Sequence, residues 1–431
     1  MRILVLAPQL PDPPRQGAAI RNLQILLYLA GKHRVTLLTF APEWPGEWSR
    51  LAALCEHVEV LPMPHRSTGD RLRTLLTSPL PDMAWRLHSR EMQERIQEIA
   101  KQGFDATHIE GIEMAPYALS ILHGATPSTQ VPEIQTPASG YPKSKHPQAG
   151  TRNPLTYDAH NAEYLLQRRA FTTDLPHLRS LPKALYSLLQ WLRLRRFERQ
   201  VCLLSKHVIA VSGADVSALS RLAPGLHRRI TLLPNGVDPI YWSRDAAYER
   251  RGVPTAGDVL VFDGTMDFRP NVDAVLWFAA EVWPLIKAER PGATFFIVGR
   301  DPTPVVRELG STPGISVTGA VEDPRPWVAA ASVYVVPMRM GGGVRLKVLQ
   351  AMSMRCPIVL TPMGVEGIDV QHGREMLVAR SPSDFARATL SLLSDPARGS
   401  SLGAAARDLA VERYAWQTLL PALDRIYPPE T

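Results

Sequence analysis

The residues Pro337-Met-Arg-Met-Gly-Gly-Gly-Val-Arg-Leu-Lys-Val-Leu-Gln-Ala-Met352 hold the densest chemistry in the chain. Gly341, Gly342 and Gly343 let backbone N–H groups approach a ligand closely, and the start of a helix adds partial positive charge. Arg345 and Lys347 bring two full charges to the same place. That combination suits a phosphate or pyrophosphate. Lys347 and Gln350 are three apart and share a helical face, whereas Arg345 and Lys347, two apart, do not. For both cations to meet one ligand, Arg345 must lie in the turn or at the first helical residue. Otherwise the segment is a glycine turn with solvated cations.

The elements around it follow from pattern. Val333-Tyr-Val-Val336 is an apolar, β-branched run that reads as a buried strand. Leu346, Leu349 and Met352 recur every three residues, as on one face of a helix. The order is strand, glycine turn, helix. This stretch resembles the donor-site turn of glycosyltransferase family 4, in which Pro, a Gly-Gly-Gly-x-Arg-x-Lys segment and a following helix recur. The resemblance implies the GT-B architecture: two Rossmann-like, doubly wound parallel α/β domains with a nucleotide-sugar in the interdomain cleft.

The whole chain sets the bounds. Its 431 residues suit two domains. Hydrophobic residues make up 45% and charged residues 21%, ordinary for globular protein. A net charge of +7 favours acidic ligands or anionic lipid, and without a recognition motif it does not make a nucleic-acid binder. Cys55, Cys202 and Cys356 have no pairing or metal-ligand spacing, which fits a reducing compartment and predicts no metal site. Met1 to Leu6 is too short an apolar run for a signal peptide, and no run spans a bilayer. The expectation is a cytoplasmic protein, soluble or peripheral on the inner face of the cytoplasmic membrane.

The N-terminal domain is placed at 1–232. Ile3–Leu6, a proline-rich turn, a helix over Ile20–Leu29 and a strand over Val35–Phe40 make a Rossmann-type opening without Gly-x-Gly-x-x-Gly. Gly17 and Arg21, with Pro11, Pro13 and Pro14, resemble the family's first loop, which implies that Gly17 approaches the donor phosphate or acceptor; the plain alternative is a turn glycine and a helix-face arginine. His108 and Glu110 end another strand and are expected to point into the cleft. Residues 126–157 are polar and proline-rich and read as a flexible insertion, a plain surface loop or an acceptor-side lid. Leu155-Thr-Tyr-Asp-Ala-His-Asn-Ala-Glu163 is similar to a family strand ending in Asp-x-His-Asn-x-Glu, which implies that His160 touches the transferred sugar. A long helix over Leu181–Ser205, with Leu185, Leu188, Leu189, Leu192 and Phe197 as its apolar stripe and many cations, can lie on an anionic membrane or pack with a solvated basic face. Ser212 is expected to cap the next helix.

The C-terminal domain is placed at 233–412, after a linker marked by Asn235-Gly236. Gly264-Thr-Met-Asp-Phe-Arg-Pro-Asn-Val-Asp273 opens a helix that Asn271 or Asp273 caps, and Arg269 can meet the pyrophosphate. Residues 413–431 are expected to pack back on the first domain. Two positions depart from the family. Gln350 stands where relatives carry a glutamate that binds the ribose, and Arg355 stands where a glycine ends the helix, which suggests a changed turn. The resemblance implies a retaining, metal-independent hexosyltransferase of cell-surface polysaccharide or glycolipid synthesis. It uses no cofactor. The donor is a UDP- or GDP-sugar and the acceptor a saccharide, lipid-linked or other hydroxyl. A sugar-nucleotide-binding pseudoenzyme and a GT-B nucleotide-sugar epimerase are the alternatives.

Overall fold

The computed structural model describes residues 1–14, 17–42, 50–123, 153–175, 181–249, 252–341 and 343–429. The chain divides into two compact units, Met1–Leu233 with Leu420–Thr431, and Pro234–Leu419. The expected break after 232 thus falls one residue later. The return to the first unit begins at Leu420; the short helix Trp416–Leu419 stays in the second.

The first unit holds a parallel sheet of β1 (Arg2–Ala7), β2 (Arg34–Ala41), β3 (His57–Pro62), β4 (Ala106–Glu110), β5 (Leu155–Ala159), β6 (His207–Ala210) and β7 (Ile230–Leu232), in the order β3-β2-β1-β4-β5-β6-β7. β1, β4 and β5 are buried along almost their whole length, as strands covered on both faces by helices must be. β5 begins at Leu155, so the last residues assigned to the 126–157 insertion are strand; 126–152 lie outside the described residues. The first helix starts at Gly17, three residues before the apolar periodicity begins, and buries Leu23, Ile25, Leu26 and Leu29.

The long helix Leu181–Leu204 exists, but its buried face differs from the expected stripe. Leu185 and Leu192 are exposed, while Ala184, Ser187, Gln190, Leu194, Phe197, Glu198 and Val201 are buried. Two of the inward polar groups have clear partners: Gln190 Oε1 accepts the Asp82 N–H at 2.8 Å, and Glu198 accepts the Tyr164 N–H at 3.0 Å. Ser212 caps the helix Gly213–Ser220 by accepting the Asp215 N–H.

The second unit holds β8 (Val259–Asp263), β9 (Thr294–Val298), β10 (Ile315–Gly319), β11 (Val333–Val336), β12 (Ile358–Leu360) and β13 (Leu377–Val378), parallel and ordered β10-β9-β8-β11-β12-β13. Its core includes Phe262, Phe278, Trp283, Phe295, Tyr334, Val348, Leu349 and Met352. Both sheets reverse strand order beside their first strand, and ligands of open parallel sheets bind outside the carboxyl ends there. β11 and β8 are neighbours at that point in the second sheet.

Arg355 corrects the reading of its turn. It has φ +54°, so the left-handed C-terminal turn is kept with an arginine in it. Among the described residues no helix is long and apolar enough to cross a membrane.

Candidate functional site

In the second unit, β11 delivers the chain to the glycine turn. Gly341 has φ +110° and Gly343 φ +73°, conformations that L side chains rarely adopt. A Cβ on Gly341 would also lie 2.9 Å from Arg345 Nη2. Gly342 lies outside the described residues. Arg345 is the N-cap residue of the helix Leu346–Ser353, and Lys347 is that helix's second residue. Arg345 Nη2 donates to the Met340 carbonyl at 3.4 Å. The turn thus puts Arg345 where a shared ligand requires it.

Lys347 reaches across to the loop after β8. Its Nζ donates to the Asp263 carbonyl and to Asn271 Oδ1, the latter at 3.1 Å, and sits 3.9 Å from the Phe262 ring centre. Burial pushes its ammonium down to about 8; Asp263 opposes this and Arg345 adds to it. Gly264, with φ +153°, leaves the space: a Cβ there would lie 2.7 Å from both Lys347 Nζ and Asn271 Nδ2. Asn271 donates to the Thr265 carbonyl at 2.9 Å, and Asp273 pairs with Arg339 at 2.5 Å. Neither side chain caps the helix Arg269–Trp277, whose N-cap is Phe268 without a side-chain bond. Arg269 is exposed at the first residue of that helix, and Gln350 is half-buried one turn beyond Lys347. Arg345, Lys347 and the helix amides can hold a diphosphate and spread its charge.

A second cluster lies in the first unit. His108, Glu110 and Asp158 are fully buried and do not project from their strand ends into open space. Asp158 takes a two-pronged ion pair from Arg21, with Nε and Nη2 each at 2.9 Å, and Arg21 Nη1 donates to the Leu233 carbonyl at 2.9 Å. Arg21 is therefore neither a loop ligand nor a helix-face charge. Gly17 is the exposed first residue of the same helix. Donor atoms of His108, Glu110 and Asp158 lie within 4.8 Å of one another, but Arg21, His160 and Tyr427 already engage them.

His160 follows β5, with its side chain 19% exposed and Nε2 3.1 Å from Glu110 Oε2. Its loop is held by buried carboxylates from other elements. Asp215 Oδ1 accepts the Ala162 N–H at 2.9 Å, and Glu198 accepts those of Glu163 and Tyr164 at 3.1 and 3.0 Å. Glu198 thus satisfies the start of the helix Glu163–Asp174, whose own N-cap, Ala162, has no side-chain acceptor. Burial pushes Glu198 up to about 8, and burial with Glu113 repulsion pushes Glu163 up to about 7.

Sequence reasoning missed Asp263 and Asn271 as partners of Lys347, and Glu198 and Tyr427 altogether. An aspartate ending a strand just before Gly264 was the one local signal; the others are brought in over long separations.

Residues 257–395 match the family model described as Glycosyl transferases group 1. The chain is 30% identical over 155 residues to the GDP-mannose-dependent alpha-(1-6)-phosphatidylinositol monomannoside mannosyltransferase of Mycobacterium tuberculosis (strain CDC 1551 / Oshkosh), covering 32% of this chain and 40% of that protein. The chain spans two-fifths or less of the length of the curated relatives it matches. Likeness of fold extends further. Sucrose-phosphate synthase from Thermosynechococcus elongatus superposes with a TM-score of 0.69 at 16% identity over 99% of this chain and 98% of that one. HepE of Anabaena in complex with UDP-glucose does so with a TM-score of 0.62 at 14% identity over 99% of both chains. The whole chain has the GT-B glycosyltransferase fold, and the group 1 stretch contains the Gly341–Gln350 turn and helix.

Proposed function

We propose that the chain is a retaining hexosyltransferase that moves a sugar from a nucleoside-diphosphate donor to a hydroxyl acceptor in polysaccharide or glycolipid synthesis. The observation that carries this reading is the Gly341–Lys347 turn, with Arg345 at the helix N-cap and Lys347 two residues on. The chemical need is to stabilise the leaving diphosphate. Arg345, Lys347 and the helix amides would supply that charge, so no metal is required. His160 would meet the transferred sugar, Gln350 the ribose, Arg269 the pyrophosphate, and Gly17 the donor phosphate or the acceptor. The names of the relatives support a nucleotide-sugar donor, GDP-mannose for one and UDP-glucose for another.

The acceptor side would work at an anionic membrane surface. The helix Thr68–Thr77 buries none of its residues, exposes Leu72 and Leu76, and carries Arg71 and Arg73. Arg193 of the long helix donates to the Leu75 carbonyl at 2.9 Å, which places exposed Leu185 and Leu192 on an element bonded to it. Apolar and basic side chains together suit the interface of an anionic bilayer.

Gln350 favours a second reading, a sugar-nucleotide-binding pseudoenzyme, because an amide offers the ribose one acceptor oxygen where a carboxylate offers two. Incubation with a panel of UDP- and GDP-sugars separates the readings. Acceptor-dependent release of nucleoside diphosphate, undiminished by EDTA, is the expected result. Binding without release supports the pseudoenzyme, isomerised donor sugar without an acceptor an epimerase, and activity lost to EDTA and restored by magnesium or manganese overturns metal independence.

A further inference from the structure

β4 carries His108 and Glu110 two residues apart, so both side chains leave the same face of the sheet. They form the middle of a continuous hydrogen-bonded line. The Tyr427 hydroxyl lies 2.8 Å from His108 Nδ1, His108 Nε2 lies 3.1 Å from Glu110 Oε1, and Glu110 Oε2 lies 3.1 Å from His160 Nε2. Tyr427, His108 and Glu110 are all but inaccessible, whereas His160 keeps 19% of its side-chain surface. The line therefore runs from the buried C-terminal segment to one solvent-facing imidazole.

Its polarity follows from donors and acceptors. Glu110 as a carboxylate only accepts, so His108 Nε2 and His160 Nε2 both donate to it. With Nε2 protonated, His108 Nδ1 accepts from the Tyr427 O–H, and that bond fixes its tautomer. Asn22, with its amide nitrogen turned toward the cluster, donates its two protons to Glu110 Oε2 at 3.0 Å and to the Ala18 carbonyl at 2.8 Å; the same nitrogen lies 3.2 Å from His160 Nε2, whose own proton goes to Glu110. Nε2 of His160 is thus taken, and Nδ1 is the ring nitrogen left for a substrate. Gly111, with φ +79°, flanks it: a Cβ there would lie 3.8 Å from Nδ1.

We propose that Glu110, held by His108 and Tyr427, is a positioning residue that locks the His160 ring with Nε2 bound and presents Nδ1 as a charged N–H donor to an oxygen of the sugar nucleotide. This rests on the reading that His160 meets that substrate. The groups around His160 are Glu110 from β4, Glu113 just after it, Asp158 from β5, Arg21 and Asn22 from the first helix, and Glu163 from the helix that follows. Burial pushes the His160 imidazolium down, but the Glu110 hydrogen bond and the Asp158 and Glu110 charges outweigh it and leave it above the ordinary histidine range. Arg21 opposes this, although Asp158 binds its charge. Against its burial, the His108 contact first and the His160 hydrogen bond after it hold the Glu110 carboxyl far below the usual carboxylate range.

The test is nitrogen NMR of the full chain with ring-labelled histidine, the His160 signals being assigned by their loss in His160→Asn. The parent should show Nε2 protonated throughout and Nδ1 titrating late. Glu110→Gln removes the charge, and Tyr427→Phe removes the far anchor while keeping the ring. Each should lower the His160 midpoint, Glu110→Gln by about one unit or more, the tenfold change in proton affinity expected when a buried ion pair is lost. If Glu110→Gln fails to fold, Tyr427→Phe alone decides by the sign of its shift. An unchanged midpoint and tautomer in every folded variant overturns the proposal, whatever happens to stability or turnover. A second readout separates it from the reading beneath it. The donor KM of a variant with a lowered midpoint should rise near neutral pH and recover toward the parent value in acid. A lowered midpoint with an unchanged KM profile would leave the hydrogen-bonded line standing and remove His160 from substrate binding.

Discussion

Lys347 should make nucleotide binding depend on pH in a defined direction. Its ammonium titrates at about 8, below the ordinary 10.5, because burial and the Arg345 charge outweigh the help of Asp263. A diphosphate placed between Arg345 and Lys347 would supply the missing counter-charge and restore the usual value. The bound state then holds more protons than the free state, so binding takes up protons and weakens as pH rises through the free midpoint. At a pH near the free midpoint, uptake should be about half a proton; one unit above it, affinity should be about tenfold below its neutral value. Titration calorimetry of UDP or GDP in two buffers of different ionisation enthalpy measures the uptake directly. Lys347→Arg is the control, because a guanidinium stays charged throughout. Its uptake should vanish, while titration of the base and phosphates persists equally in both proteins. Equal uptake in parent and Lys347→Arg would refute the reasoning.

Substitutions at three other positions follow from the same geometry. Asp158→Ala should destabilise the first unit by about 3–5 kcal/mol in urea unfolding, since it leaves the Arg21 guanidinium buried without its carboxylate. Arg355→Gly should stabilise by about 0.5–1 kcal/mol, because glycine meets φ +54° without strain and the Asp245 pair that it loses is exposed. Gln350→Glu should hold or improve donor affinity and Gln350→Leu should weaken it, by calorimetry; if Leu binds as well as the parent, residue 350 does not read the ribose.

Much of the fold was legible because buried parallel strands are continuous apolar runs. Val333–Val336, Val259–Phe262 and Ile3–Leu6 could hardly be anything else, and the helices between them dictate a parallel sheet. The glycine turn was legible for the same local reason, since left-handed glycines and an arginine at the N-cap are encoded within a few residues. What stayed hidden depends on distant partners. Arg21 reads as a surface charge until Asp158, 137 positions away, closes on it. The inward face of the long helix reads as polar until Asp82 meets Gln190 and the Glu163 and Tyr164 amides meet Glu198. Arg355 showed the opposite error, a backbone conformation kept where its favoured residue is missing.

The central claim is that a nucleoside diphosphate binds the Gly341–Lys347 turn. Titration of UDP and GDP into the parent and into Arg345→Ala tests it most directly. The account predicts binding weakened by about 1–3 kcal/mol, the loss of a charge-assisted hydrogen bond, with the melting temperature of the unliganded protein unchanged. Equal binding by the two proteins, with the fold intact, would contradict it.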